Sequence, residues 1–113
     1  MNIAQIISEQ LKSTTNLSII WSWGATAWQS LSQKDLISLG INNGFGALKF
    51  KVNAHHHKGH ILIVLNGLDL YDIYLCSIRI GKLSIKEKIE NVDFTNLGKI
   101  IDDKIERIPE YSF

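Results

Sequence analysis

The chain has 113 residues, 45% of them hydrophobic and 20% charged, with twelve basic residues against eleven acidic ones and a net charge of +1. That length suits one domain, residues 1–113, burying roughly two-thirds of the surface its unfolded form exposes, and the balance excludes an intrinsically disordered tail. Near-neutrality also excludes a global electrostatic drive toward nucleic acid, although residues 47–60 hold three lysines, four histidines and no carboxylate, while 87–110 are rich in acids.

The first segment sets Ile3, Ile6, Ile7 and Leu11 at helical spacing among polar residues, which predicts an amphipathic helix ending near "STTN", where Ser, Thr and Asn favour turns. In "LSIIWSWGATAWQSL", the alternation of Ile20 and Ser22 with Ile19, Trp21 and Trp23 predicts a short strand before the Gly24-Ala25 break. After the break, "SQKDLISLGI" carries the Ser-x-x-Asp spacing of a capping box, predicting a helical turn from Ser32 to Gly40. "NNGFG" follows as a loop.

From Ala47 onward the pattern is that of strands. Leu48, Phe50 and Val52 alternate with Lys49, Lys51 and Asn53, giving one buried and one wet face. "HILIVL" is apolar without alternation, as expected of a central strand or one covered on both sides. Asn66-Gly67 then predicts a type I′ hairpin turn with both residues at positive φ. Beyond it the apolar parity slips twice between Leu68 and Ile80, a sign of β-bulges or a strong bend. Gly81-Lys82 fits a type II′ turn. The last strand is expected near a sheet edge, with Leu83, Ile85 and Ile89 on one face and Ser84, Lys86, Lys88 and Glu90 on the other. Asp93 is a good N-cap for a final helix striped by Leu97, Ile100, Ile101, Ile105 and Ile108 and closed by Pro109, with Asp102, Asp103, Lys104 and Glu106 opposite.

The expected fold class is therefore α+β: an antiparallel sheet of four to five strands with the N- and C-terminal helices packed on one face. The single cysteine, Cys76, lies in "IYLCSI" and reads as a small buried apolar residue, which points to a reducing, intracellular setting. The N-terminal residues show no basic segment followed by a continuous apolar run, and no stretch approaches the roughly 18 apolar residues of a membrane span, so neither secretion nor membrane insertion is expected.

Few residues carry chemistry. Asp69 and Asp72 follow the Asn-Gly turn and read as hairpin-stabilising carboxylates rather than an acid-base pair, because a spacing of three puts side chains on opposite faces of a regular strand. "AHHHKGH" could offer His55, His57 and His60 to a metal, but no Cys, Asp or Glu in the stretch completes a four-ligand set, so it reads as a solvated basic loop. No Walker, dinucleotide, GxSxG or HExxH pattern is present, and neither a catalytic set nor a cofactor is expected. Of Trp21, Trp23 and Trp28, at least two are expected in the core, leaving one as an interaction candidate. The residues assigned to partner binding are Lys49, Lys51, His55, His57, Lys58, His60 and Trp28.

"GATAW" at Gly24–Trp28, the run from "LKFKVN" to "LNGLDLYDIY", and the closing amphipathic helix together resemble a group of small, mostly uncharacterised proteins encoded by phages and other mobile elements. In that group a Gly-Ala-x-x-aromatic segment precedes a Leu-Asn-x-x-Asp-Leu-Tyr-Asp core. The histidine tract departs from the basic, Gly-containing loop expected there. The resemblance carries over no catalytic residue. It implies a small non-enzymatic inhibitor of a host immune effector that acts by protein binding in the host cytoplasm, its partner a host protein such as a CRISPR effector nuclease or its guide RNA. The alternative reading is a small nucleic-acid-binding accessory protein that uses the basic hairpin.

Overall fold

The computed structural model describes residues 3–54, 57–80 and 82–105. Helices α1 (Ile3–Thr14) and α2 (Leu17–Ser22) lead into strand β1 (Thr26–Ser32) and helix α3 (Gln33–Ser38). Strands β2 (Gly46–Asn53), β3 (Lys58–Leu65), β4 (Tyr71–Arg79) and β5 (Lys82–Val92) follow, and a 3-10 turn at Phe94–Asn96 opens helix α4 (Leu97–Ile105). The five strands form one antiparallel sheet in the order β1-β2-β3-β4-β5. The fold is thus α+β, a simple meander with helices at both termini.

The period-two pattern explains which side chains meet. Leu48, Phe50 and Val52 of β2, Ile61 and Ile63 of β3, and Tyr71, Ile73 and Leu75 of β4 point to one face. There they pack against Ala4, Ile7 and Leu11 of α1, Ile20 of α2, Trp23, and Leu97, Ile101 and Ile105 of α4. Ile6, assigned to the α1 stripe from its spacing, is 38% exposed instead. On the other face Ala47, Leu62, Val64, Tyr74 and Cys76 are covered by Leu31, Leu36 and Ile41 around α3. Central β3 is therefore buried from both sides, which is why "HILIVL" lacks alternation. Glu87 of β5 and Lys104 of α4 form an ion pair at 2.6 Å that fastens the last helix to the edge strand.

The segment before Gly24 is a helix, not the expected strand. Asn16 caps it by accepting the Ser18 N–H at 2.9 Å, and a helical turn buries Ile20 and Trp23 three residues apart, something no strand register of "LSIIWS" achieves. Gly24 then takes a φ of +66° to reverse the chain, and the strand lies beyond the break, at Thr26–Ser32. Ser32 and Asp35 do form a reciprocal capping box, and α3 ends in a Schellman motif, with Gly40 N–H to Ile37 O at 3.0 Å and Ile41 N–H to Leu36 O at 2.9 Å.

Both later hairpin turns depart from their expected types. Asn66 N–H donates to Leu70 O at 2.9 Å and Asp69 N–H to Asn66 O at 3.3 Å, with Asp69 at φ 64°, so the β3–β4 turn is a three-residue loop with a left-handed third residue. Neither Asn66 nor Gly67 has positive φ. The side chain of Asn66 decides this, because its Oδ1 accepts the Leu68 and Leu70 N–H groups and templates the wider loop. At the β4–β5 turn, Arg79 pairs with Lys82, so Lys82 belongs to β5 and is not a turn residue as expected. Ile80 has φ 52°, and Gly81 lies outside the described residues, as do Glu106, Ile108 and Pro109.

The parity slips between Leu68 and Ile80 are not bulges of β4, whose pairing with β3 runs without a shift: the first falls at the turn before Tyr71, and the second reflects a strand buried on both faces. The bulges are in the β4–β5 pairing, with the extra residues on β5. The register shifts between Tyr71 and Ile73 and again between Leu75 and Cys76. The second shift separates Leu83, which packs beneath α3, from Ile89, which packs in the main core, so the two do not share a face as predicted. β5 is an edge strand, as its charges suggest. Among the described residues no helix is long and apolar enough to cross a membrane.

Candidate functional site

An antiparallel meander brings every second turn to the same end of its sheet. The β2–β3 and β4–β5 turns and the start of β1 therefore share one end, opposite to the region covered by α3. There an open cleft of ≈ 750 Å³ forms, with Lys51, Lys58, Arg79 and His60 along its wall and Thr26 and Ser77 as neutral polar neighbours. Among the described residues no carboxylate lines it. Lys51, Lys58 and Arg79 have no ion pair among the described residues, so the lining of the cleft carries three positive charges, from β2, β3 and β4, without neutralisation by an ion pair.

Lys49 lies two residues along β2, on the same sheet face, and borders a separate hollow of ≈ 320 Å³ that also contains Asp35 and Gln29. Its Nζ donates to Gln29 Oε1 at 3.1 Å. His60 pairs in register with Lys51 on one side and Cys76 on the other. Burial, followed by the charges of Lys49, Lys51 and His57, holds the His60 imidazole below its ordinary value of 6.5. Proximity to lysines thus opposes the gain of charge expected of this histidine from its type.

The histidine loop is not a solvated one where it is described. His57 is 6% exposed, its Nε2 lies 3.1 Å from the His60 carbonyl oxygen, and its own carbonyl accepts the Ala54 N–H at 3.0 Å, so it closes the β2–β3 turn from inside. His55 lies outside the described residues. Among the described residues no group of three His, Cys, Asp or Glu side chains is placed to hold a metal.

Trp28 does not join the lysines. Its ring stacks on Phe50 with centroids 4.4 Å apart, on the helix-bearing face of the sheet, while Lys49 and Lys51 point to the other face. Of the three tryptophans Trp23 alone is fully buried, its indole N–H donating to Asp102 at 3.0 Å; Trp28 is 40% and Trp21 71% exposed, so the expected pair of core tryptophans is not formed. Cys76 is buried, and burial pushes its thiol up to about 12 despite the opposing pull of Lys49, which leaves it an inert core residue as predicted.

Asp69 and Asp72 are separated. Asp72 is 5% exposed and accepts from Asn66 Nδ2 at 3.0 Å and from the Asn91 N–H at 3.1 Å, capping the β5 bulge where Asn91 takes φ 59°. Asp69 occupies the left-handed position of the exposed turn.

Arg79 was missed by sequence reasoning, because it is distant from the lysine-rich segment in the chain. The available signal was topological: in a four-strand meander the residue before the β4–β5 turn returns to the β2–β3 turn. Comparison with known proteins returns no matching family model, no matching curated protein and no matching solved structure.

Proposed function

We propose that the protein is a non-enzymatic binding module whose basic cleft takes the phosphate backbone of a nucleic acid. The observation that carries this reading is that Lys51, Lys58 and Arg79 line one open cleft, with no carboxylate among the described residues that line it. Phosphate contacts need cations on a concave surface and little else. A protein partner would call for a buried aromatic or aliphatic anchor, whereas the exposed large apolar side chains of α2, Leu17, Ile19 and Trp21, lie away from the cleft. Among the described residues the cleft wall holds no Trp, Tyr or Phe ring for base stacking, which favours recognition of backbone over sequence.

The setting implied by the sequence resemblance, a phage or mobile-element protein that blocks a host immune effector, fits this chemistry when the nucleic acid is one that the effector holds. A guide RNA bound to a CRISPR effector nuclease presents such a backbone. In that reading the protein inhibits by occupying the RNA and its channel, in the cytoplasm of the host cell.

Fluorescence anisotropy with a labelled single-stranded oligonucleotide at two salt concentrations tests the binding. Three phosphate contacts give a slope of about −2 in log K against log salt for a single strand. The variant Lys51→Glu/Lys58→Glu/Arg79→Glu is expected to lose binding while keeping its fold by circular dichroism. Unchanged affinity in that variant would rule the cleft out. Salt-insensitive capture of an effector protein would instead move the site to an apolar surface such as α2.

A further inference from the structure

His60 has incomplete hydrogen bonding. Its Nδ1 is buried and has no partner among the described residues, although the residue lines the cleft. The neighbouring donors are committed to its backbone instead: the His60 carbonyl oxygen faces His57 Nε2 at 3.1 Å and the Cys76 thiol at 3.6 Å. A buried polar nitrogen without a partner is uncommon in a native protein, and this one belongs to a ring that lines a cleft shared with Lys51, Lys58 and Arg79.

We infer that the cleft seats one phosphate group on the His60 ring, with Lys51, Lys58 and Arg79 around it, so that ligand binding and protonation of His60 are linked. The inference rests on the phosphate-backbone reading for its ligand. The charged groups acting on His60 are Lys49 and Lys51 from β2 and His57 from the β2–β3 connection; Cys76 of β4 pairs with it in register, and Lys58 and Arg79 line the same cleft. All are cationic or neutral. By themselves they disfavour an imidazolium, and burial acts in the same direction. A phosphodiester anion reverses the local potential and offers the charged ring an acceptor, which raises the pKa of His60 in the complex. Reciprocity then requires that the proton raise the affinity for the anion by the same factor. The sign follows: affinity is flat above the pKa of the bound state, rises as pH falls between the bound and free values, and levels off below the free value.

The test uses the full chain and a labelled 12-residue deoxythymidine strand, at pH 7.5 and 5.5 and constant ionic strength. A rise of one pKa unit in the complex corresponds to about a tenfold gain in affinity across the window. His60→Gln is expected to show equal affinity at the two pH values. Titration of the His60 ring by NMR in the wild-type protein, with and without the strand, provides a readout that does not depend on the variant folding. A ring pKa that rises on binding supports the seat; a strand that binds without moving it overturns the seat and leaves the backbone reading intact. Persistence of the full pH effect in a folded His60→Gln protein also overturns it. No binding at either pH defeats both readings together. Displacement of the strand by inorganic phosphate at an equal concentration of phosphate groups would keep the seat and overturn the nucleic-acid source in favour of a small phosphate ligand.

Discussion

Asn66 and Asp72 meet at the base of the β3–β4 hairpin, the Asn66 Nδ2 donating to Asp72 Oδ1 at 3.0 Å with both residues buried. The same nitrogen donates to Asn91 Oδ1 at 2.9 Å, and Asp72 accepts the Asn91 N–H, so one polar network joins the turn, β4 and the β5 bulge. Removing either partner strands buried donors or acceptors, and Asn66→Ala and Asp72→Ala are each expected to cost about 1–3 kcal/mol in urea denaturation. The double variant should lose less than the sum of the two, because the second change removes groups already left unpaired. Strict additivity would show that the two side chains do not act together. Asp69→Asn, at an exposed left-handed position that Asn tolerates, is expected to stay within about 0.5 kcal/mol.

Two glycines make contrasting forecasts. Gly67 has no positive φ, and an added Cβ meets only the Phe45 ring at 3.9 Å, so Gly67→Ala should be neutral or stabilise by up to about 1 kcal/mol through the unfolded chain. Gly98 lies against Thr15, whose Cβ would be 2.6 Å from the new methyl, so Gly98→Ala must push α4 from its seat beside the α1–α2 junction, at about 1–3 kcal/mol. Thermal denaturation of the two variants side by side checks the order. A larger loss in Gly67→Ala would revive the type I′ turn.

Ile80 is fully exposed and holds φ 52°, a conformation that a β-branched side chain resists. Ile80→Asn or Ile80→Gly is expected to raise stability by about 1 kcal/mol, since either residue enters the left-handed region at lower cost. A lower melting temperature in both variants would mean that the Ile80 side chain has a contact worth more than the strain.

Two aspartates cap helical turns and are held below the ordinary value of 3.8. For Asp35 the causes are the Ser32 backbone N–H and then its hydroxyl; for Asp93 they are the Thr95 hydroxyl and then its backbone N–H. A carboxylate lowered in the folded state contributes fully above its unfolded value and loses that contribution as pH falls through its folded value. Stability is therefore expected to decline as pH drops through 3.8 and below. Asp35→Asn/Asp93→Asn should flatten that part of the profile, as measured by urea midpoints across the acid range. An unchanged acid limb would assign it to other carboxylates.

The sequence by itself determined the elements whose signal is local. Alternation at Leu48–Val52, the unbroken apolar run of β3, the Ser32–Asp35 box and the α4 stripe each report on neighbours within a few residues, and each element stands where the pattern put it. The lysine side of β2 was legible for the same reason. Local pattern failed at "LSIIWSW", where β-branched and aromatic content favoured a strand while the Asn16 cap and the joint burial of Ile20 and Trp23 against α4 imposed a helix. It failed again at Asn66, whose Oδ1 caps the Leu68 and Leu70 N–H groups while its Nδ2 is held by Asp72 and by the distant Asn91, a combination that selects a wider turn than Asn-Gly ordinarily makes. Only the tertiary structure brought Arg79 to Lys51 and Lys58, sent Trp28 to the opposite face, and set His60 between cationic strands with an unpartnered nitrogen. Strand order and register place residues far apart in the chain side by side, and no short-range spacing encodes that.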